Sequence, residues 1–231
     1  MFTVFKVIGV GFVRGAGLVN RSYSSKRLTN VQRDSFFVTP DIHNIIIGSL
    51  LGDLHINKQR NSINSRLMFK QGFINEAYIL HLYDLFKSYC GSGPKYSSSP
   101  HVRNGNINHS ISFNTYSFPC FNYYRELFYM GGVKRIPLNI GELLTPVGLA
   151  YWAMDDGCKL KNNFVLCTDS YTFSEVELLI KVLKDNFDLN CTYLIRNEDQ
   201  YRIYIKVDSM GKFRSLVTQH FHSSMMYKLA V

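Results

Sequence analysis

The sequence predicts an α+β protein made of two pseudo-twofold related αββαββα units, and two observations carry that expectation. From Thr39 onward, apolar periodicity and turn signals give helix, two strands, helix, two strands, helix, and then the same order again. Each repeat also opens alike: Thr39-Pro40 and Thr145-Pro146 set a capping hydroxyl before a proline at the first helical position, where a missing N–H costs nothing. Two such units in one chain imply a pseudo-dyad, a symmetry suited to a duplex whose strands are themselves related by a twofold axis.

The elements follow in order. Residues 1–37 are set aside as an N-terminal extension, because the first 33 residues carry Lys6, Arg14, Arg21, Lys26, Arg27 and Arg33 with no Asp or Glu. With the serines at 22, 24 and 25, that is the composition of a mitochondrial targeting segment; a plain tail or translated upstream sequence is the other reading. The first unit spans 38–133 and the second 145–231, with 134–144 as a linker poor in helix or strand signals. The opening helices, Ile45 to Asp53 and Leu149 to Asp156, are nearly uncharged and then end in a carboxylate. The helices after them are amphipathic, with Ile79, Leu82, Tyr83 and Phe86 in one and Val176, Leu179, Ile180, Leu183 and Phe187 in the other. Thr172 and Glu175 form a capping box at the start of the second. Strands such as Ile111-Ser112-Phe113 and Tyr201 to Val207 alternate, so each has a buried and a solvent face, with Arg202, Tyr204 and Lys206 on the latter. Sliding one half over the other by 92 positions sets Ser117 on Ser209 and Phe121 on Phe213, which supports a duplication.

Bulk properties narrow the function. A 231-residue chain that is 46% hydrophobic can build a core, which argues against a disordered chain. A formal net charge of +9 favours a polyanionic partner, since lysines and arginines that neutralise phosphates release condensed counterions. Cys90, Cys120, Cys158, Cys167 and Cys191 form no CxxC pair, so they read as buried thiols rather than zinc ligands or a disulfide framework. No apolar run reaches the roughly 18–20 residues that span a bilayer, so no membrane partner is expected.

The chemistry is carried by the two opening segments, Ile46 to Asp53 and Leu149 to Gly157. Gly48, Ser49 and Gly52 in one and Ala150 and Ala153 in the other would let two helix backbones approach closely. If the helices pair, Asp53 and Asp156 meet at one end, and two carboxylates so placed repel unless cations lie between them. Hard oxygen ligands select Mg²⁺, with Mn²⁺ as a substitute, and metal there suits phosphodiester hydrolysis. A carboxylate at a helix C-terminus opposes the macrodipole, which strengthens a functional reading over a structural one.

These two segments resemble the paired motifs of the LAGLIDADG homing endonuclease family, in the single-chain form found in yeast mitochondria. The likeness covers roughly 42–231 and continues through Phe173-Ser174-Glu175-Val176-Glu177, Phe187-Asp188-Leu189-Asn190-Cys191 and Met225-Met226-Tyr227-Lys228-Leu229. It implies a saddle-shaped fold whose strands line the DNA major groove, a monomer acting on double-stranded DNA, and metal-dependent cleavage that mobilises an intron. It also implies that Asp53 and Asp156 hold metal and that Lys134 and Lys228 are the basic active-site residues, with Arg135 a second candidate beside them. Expected DNA contacts on strand faces and loops are Lys58, Arg60, Arg66, Lys70, Gln71, Arg103, Lys159, Lys161, Arg196, Arg202 and Lys206. His55 reads as hydrogen-bonded structure rather than a ligand, Asp155 as support for the helix junction, and Trp152 as packing at the helix pair. Two departures stand out: Leu54 where the motif name ends in glycine, and Asp169 where glutamine is expected. The competing readings on the same scaffold are an RNA maturase that assists splicing of a group I intron and a noncatalytic mitochondrial nucleic-acid-binding protein.

Overall fold

The computed structural model describes residues 28–100 and 107–229. A short helix α1 (Asn30–Asp34) comes first, followed by α2 (Pro40–Leu51), β1 (His55–Asn57), β2 (Arg66–Gly72), α3 (Glu76–Phe86), β3 (Lys95–Pro100), β4 (Ile107–Asn114) and α4 (Asn122–Phe128). A ribbon of β5 (Tyr129–Met130) and β6 (Val133–Lys134) and a turn of helix α5 (Ile140–Leu143) lead onward. The second unit is α6 (Pro146–Asp156), β7 (Gly157–Leu160), β8 (Asn163–Leu166), α7 (Phe173–Phe187), β9 (Cys191–Asn197), β10 (Gln200–Ile205) and α8 (Met210–Val217). The expected αββαββα order therefore occurs twice. Both antiparallel sheets share one strand order, β1-β2-β4-β3 and β7-β8-β10-β9.

Local chemistry fixes where the elements begin. Thr39 Oγ1 accepts the Ile42 amide at 3.4 Å and Thr145 Oγ1 the Gly148 amide at 3.2 Å, each ahead of its proline. The Thr172–Glu175 capping box opens α7, and Asp188 closes it in the left-handed region. In each sheet one face packs on helices. Leu67, Phe69, Ile111 and Phe113 meet Ile79, Leu82 and Phe86 of α3, with Phe69 stacked 4.6 Å from Phe113. Phe164, Leu166, Ile203 and Ile205 do the same for Val176, Leu179 and Leu183 of α7. Because strand side chains alternate, Arg66, Met68 and Lys70 lie on the opposite face of the first sheet, and Arg202 and Tyr204 on that of the second.

Three expectations need revision. The fold reaches back into the segment set aside as an extension: Phe36 stacks on Phe118 at 4.3 Å, and Arg33 Nη1 donates to the Ser117 carbonyl at 2.7 Å. Residues 1–27, with most of the targeting-segment signal, lie outside the described residues. The linker is not featureless, since it contains α5 and buries Ile136, Ile140 and Leu144; its short apolar spacing hid a single helical turn. The last strand stops at Ile205: the Lys206 amide makes one further bond beside β9, to the Asn190 carbonyl, and a 3₁₀ turn takes over at Val207.

Candidate active site

Two helices that are apolar nearly all round must bury each other, and α2 and α6 do so. Ile45 to Leu51 and Gly148 to Met154 are buried without a break. The contact is backbone on backbone at Gly48, where a Cβ would overlap the Gly148 carbonyl, and backbone on side chain at Gly52, where a Cβ would overlap Asp155. Trp152 is fully buried, as expected of a residue packing within this assembly. Gly148 was missed in the sequence, although it stands two residues ahead of Ala150 in the same set of small residues.

Each unit also sends a tyrosine to the other unit's motif helix. Tyr78 of α3 donates to Asp155 Oδ1 at 2.8 Å, and Tyr171, ahead of α7, donates to the Leu51 carbonyl at 3.0 Å. Both tyrosines had been indistinguishable from ordinary core residues, because their burial pattern is that of their apolar neighbours. Asp155, expected to support the junction, is the acceptor of one of these bonds.

Close helix approach brings the motif carboxylates within electrostatic reach of one another. Burial raises Asp156 to about 7, with Asp53 adding to the rise and Lys134 and Lys228 opposing it. Burial pushes Asp155 far above the ordinary carboxylate range, reinforced by Asp53. Asp53 itself is exposed, and Gln71 Nε2 donates to its Oδ2 at 2.7 Å while Asn75 Nδ2 donates to Gln71 Oε1 at 3.0 Å. The two lysines assigned to the site arrive from separate places, Lys134 from β6 at the start of the linker and Lys228 from the end of the second unit. Lys134 Nζ donates to the carbonyls of Gly52 and Leu54 at 2.7 and 3.2 Å. Lys228 Nζ, from the 3₁₀ helix Ser223–Lys228, donates to the carbonyls of Met154 and Asp155, the latter at 3.1 Å. Burial lowers the Lys134 ammonium to about 8, against the pull of Asp156, Asp155 and Asp53; Lys228 is lowered for the same first reason.

The donor chemistry fits a hard divalent cation. Among the described residues no ion pair within 4.0 Å joins either lysine to Asp53, Asp155 or Asp156, since both ammonium groups are engaged by backbone carbonyls. Asp53 raises both Asp155 and Asp156, and the lysines offset this only at a distance. Among the same residues no group of three His, Cys, Asp or Glu forms a ready cage. The oxygen donors that are present, the carboxylates of Asp53 and Asp156, are of the kind that hard divalent cations take.

The remaining candidates divide. Lys58, Arg60, Lys70, Lys161 and Lys206 are exposed, and Arg66 is half-buried on the outward face of the first sheet. There Lys70, Ser112 and Lys95 form one cross-strand row, flanked by Ser97 with Ser110 and Ser99 with Asn108. Lys95 had not been singled out; its alternation in a serine-rich strand was the available signal. Gln71 is corrected: it points inward, buried, and positions Asp53 rather than facing a groove. Lys159 pairs with Phe164 and so falls on the helix-facing side of its edge strand, although exposed. Arg196 and Arg202 both bond Asp169. Arg135 lies 3.9 Å from Glu175, turned toward α7. His55 Nδ1 and the Tyr129 hydroxyl are 2.9 Å apart, the hydrogen-bonded role expected of it. Arg103 lies outside the described residues. No described helix is long and apolar enough to cross a membrane.

Comparison with known proteins gives the same assignment. Residues 43–213 match the LAGLIDADG DNA endonuclease family. Cytochrome b mRNA maturase bI2 of Saccharomyces cerevisiae is 31% identical over 199 residues, which cover 82% of this chain and 47% of that protein; the chain thus spans about half the length of this relative. Intron-encoded endonuclease ai4 of Dictyostelium discoideum is 39% identical over 121 residues, 52% of this chain and 76% of the relative. Among solved structures, the homing endonuclease I-WcaI bound to its DNA recognition sequence superimposes with a TM-score of 0.79 at 30% identity, covering 84% of this chain and 88% of that one. With the repeated fold, the paired glycine-lined helices and these matches in agreement, the chain belongs to the LAGLIDADG DNA endonuclease family.

Proposed function

We propose that the protein is a site-specific homing endonuclease that, as a monomer, hydrolyses one phosphodiester on each strand of double-stranded DNA and thereby mobilises an intron in mitochondria. The observation that carries this reading is the meeting, at one end of the α2–α6 pair, of carboxylates from both units with two backbone-anchored lysines. A binding protein has no need of a junction whose charges oppose one another. Asp53 and Asp156 are the residues that would hold Mg²⁺, or Mn²⁺ in its place, and the metal supplies charge stabilisation to the attacking and leaving oxygens. Gln71 orients Asp53, and Lys134 and Lys228 keep fixed positive charge beside the position of a bound phosphate. The outward sheet faces, with Arg66, Lys70 and Lys95 on the first, supply the groove-facing cations.

A second reading is favoured by one specific finding, the likeness to a relative named as an mRNA maturase. On that reading the same basic surface binds folded intron RNA and assists splicing. Incubating the full chain with a randomised duplex library and Mg²⁺, beside an intron-splicing assay, separates the two. Cleavage at a single site that is abolished by Asp53→Asn and by Asp156→Asn is the expected result. Splicing that survives both substitutions, with no duplex cut, would sink the nuclease reading in favour of the maturase.

A further inference from the structure

Asp169 stands in the turn after β8 and gathers two guanidinium groups. Arg202 meets it side-on, Nε donating to Oδ1 at 2.8 Å and Nη2 to Oδ2 at 2.6 Å. Arg196 Nη1 adds a third bond, to Oδ2 at 2.7 Å. The turn itself is anchored: Thr168, fully buried, donates from Oγ1 to the Tyr201 carbonyl at 2.6 Å, and the Tyr171 amide returns to the Thr168 carbonyl at 3.1 Å. The hydrogen bonds from Arg202, aided by those from Arg196, hold the Asp169 carboxyl below its usual range, so the clamp stays ionised.

A guanidinium has two donor edges, and this clamp uses one of them. The opposite edge of Arg202, formed by Nη1 and the second hydrogen of Nη2, has no partner among the described residues. Arg202 alternates with buried Ile203 and Ile205, so it rises from the outward face of the second sheet. Its strand neighbour is the chain at Cys167, whose amide bonds the Asp156 carbonyl at 2.9 Å. Asp156 precedes β7 and Arg202 lies in β10, with β8 between them, so the free edge stands two strands over from the end of the motif helix that carries Asp156. Two parallel donors match the O6 and N7 acceptors of guanine in the major groove, and they also match two phosphate oxygens. The clamp favours the base. Sharing one carboxylate between two guanidinium groups weakens attraction to a polyanion, whereas a fixed rotamer is what base readout needs and charge neutralisation does not.

We propose that Arg202, positioned by Asp169, reads a guanine in the half-site beneath the second sheet, among the base pairs nearest the cleaved phosphates. Asp169 is a positioning residue here and contacts no DNA. The inference rests on the DNA-cleaving reading above.

The test is selection of bound duplexes from a randomised library by the full chain, followed by affinity measurements on the selected site over a range of salt. One guanine in the second half-site is expected, and replacing it with 7-deazaguanine, which removes N7 and keeps base pairing, should weaken binding about tenfold. Arg202→Lys, which keeps the charge but not the paired donors, should lose the preference for that guanine and become indifferent to 7-deazaguanine, with selection at other positions unchanged. Asp169→Asn should relax the same position alone. Unaltered thermal melting of the Arg202→Lys protein would tie these effects to recognition. A uniform loss of affinity over all sequences in Arg202→Lys, joined by a salt slope lower by about one in the uncharged Arg202→Gln, would instead assign Arg202 to a phosphate and overturn the proposal. Selective duplex binding with no response to 7-deazaguanine overturns it while leaving the nuclease reading intact; absence of any selective duplex binding overturns both.

Discussion

Lys134 and Lys228 face the same chemical demand at the ends of the two motif helices. Each ammonium is drawn into a half-buried position where water is scarce, and each replaces that water with two carbonyl oxygens, Lys134 at the end of α2 and Lys228 at the end of α6. The bonds fix the charge in space without neutralising it against a carboxylate, which is the arrangement that benefits a developing phosphorane charge more than a bound ground state. Replacing either lysine with methionine keeps the aliphatic stem and removes the charge. Single-turnover cleavage should then fall by about 100-fold or more, while duplex affinity measured by fluorescence anisotropy stays close to that of the unaltered protein. A parallel fall in both quantities would reduce the lysines to phosphate contacts. Nothing in the local sequence around Lys134, in a two-residue strand, announces the carbonyl contacts that it makes. Likewise Gln71 sits in a strand whose alternation makes it an inward residue, yet polarity alone suggested a groove-facing one; its true partner, Asp53, is 18 positions away and visible only once β1 and β2 pair.

The α2–α6 pair is the element on which the site depends, and its glycines tolerate nothing larger. An alanine at Gly48 would place its methyl inside the Gly148 carbonyl, and backbone cannot rotate aside as a side chain can. Gly48→Ala should cost on the order of 2–3 kcal/mol and lower Tm by about 5–10 °C. Gly211→Ala, within α8 and facing open space, is the control: the helix gains propensity, so Tm should hold or rise slightly. Equal effects of the two changes, measured by circular dichroism melting, would show that helix propensity and not contact decides. Much of this element was legible beforehand. Threonine-proline openings, apolar runs without interruption and small residues at the closing face are local features, and each follows from the physics of caps and close packing. The reciprocal tyrosines were not legible, because a buried Tyr78 and a buried Leu82 obey one periodicity and only the hydroxyl's distant acceptor tells them apart. The α5 turn was lost for a similar reason: four residues cannot display a helical period.

At the scale of the whole molecule, the two units are joined by apolar burial and backbone contact while their charges resist the joining. Asp53, Asp155 and Asp156 each raise the cost of ionising a neighbour, and the Asp156 carboxyl is raised to about 7 chiefly by burial and next by Asp53. Its folded value thus exceeds the unfolded one, so the folded state binds the proton more tightly. In metal-free protein the ionised carboxylate is a burden on folding above about pH 7. That burden declines as pH falls through the folded value and is gone below the ordinary carboxylate range near 4. Asp156→Asn, which removes the charge and keeps the shape, should therefore melt at a higher temperature than the unaltered chain at pH 8. The gap should narrow steadily to pH 5, with the comparison between variants cancelling the general effect of the +9 net charge. Excess Mg²⁺ at pH 8 should close the gap from the other side, by raising the melting temperature of the unaltered chain and leaving that of the variant in place. Calorimetry of both proteins over this pH range, with the metal and with a chelator, checks each limb. A gap that ignores both pH and Mg²⁺ would mean that the carboxylates lie too far apart, or too wet, to share a cation, and the catalytic assignment would fall with it.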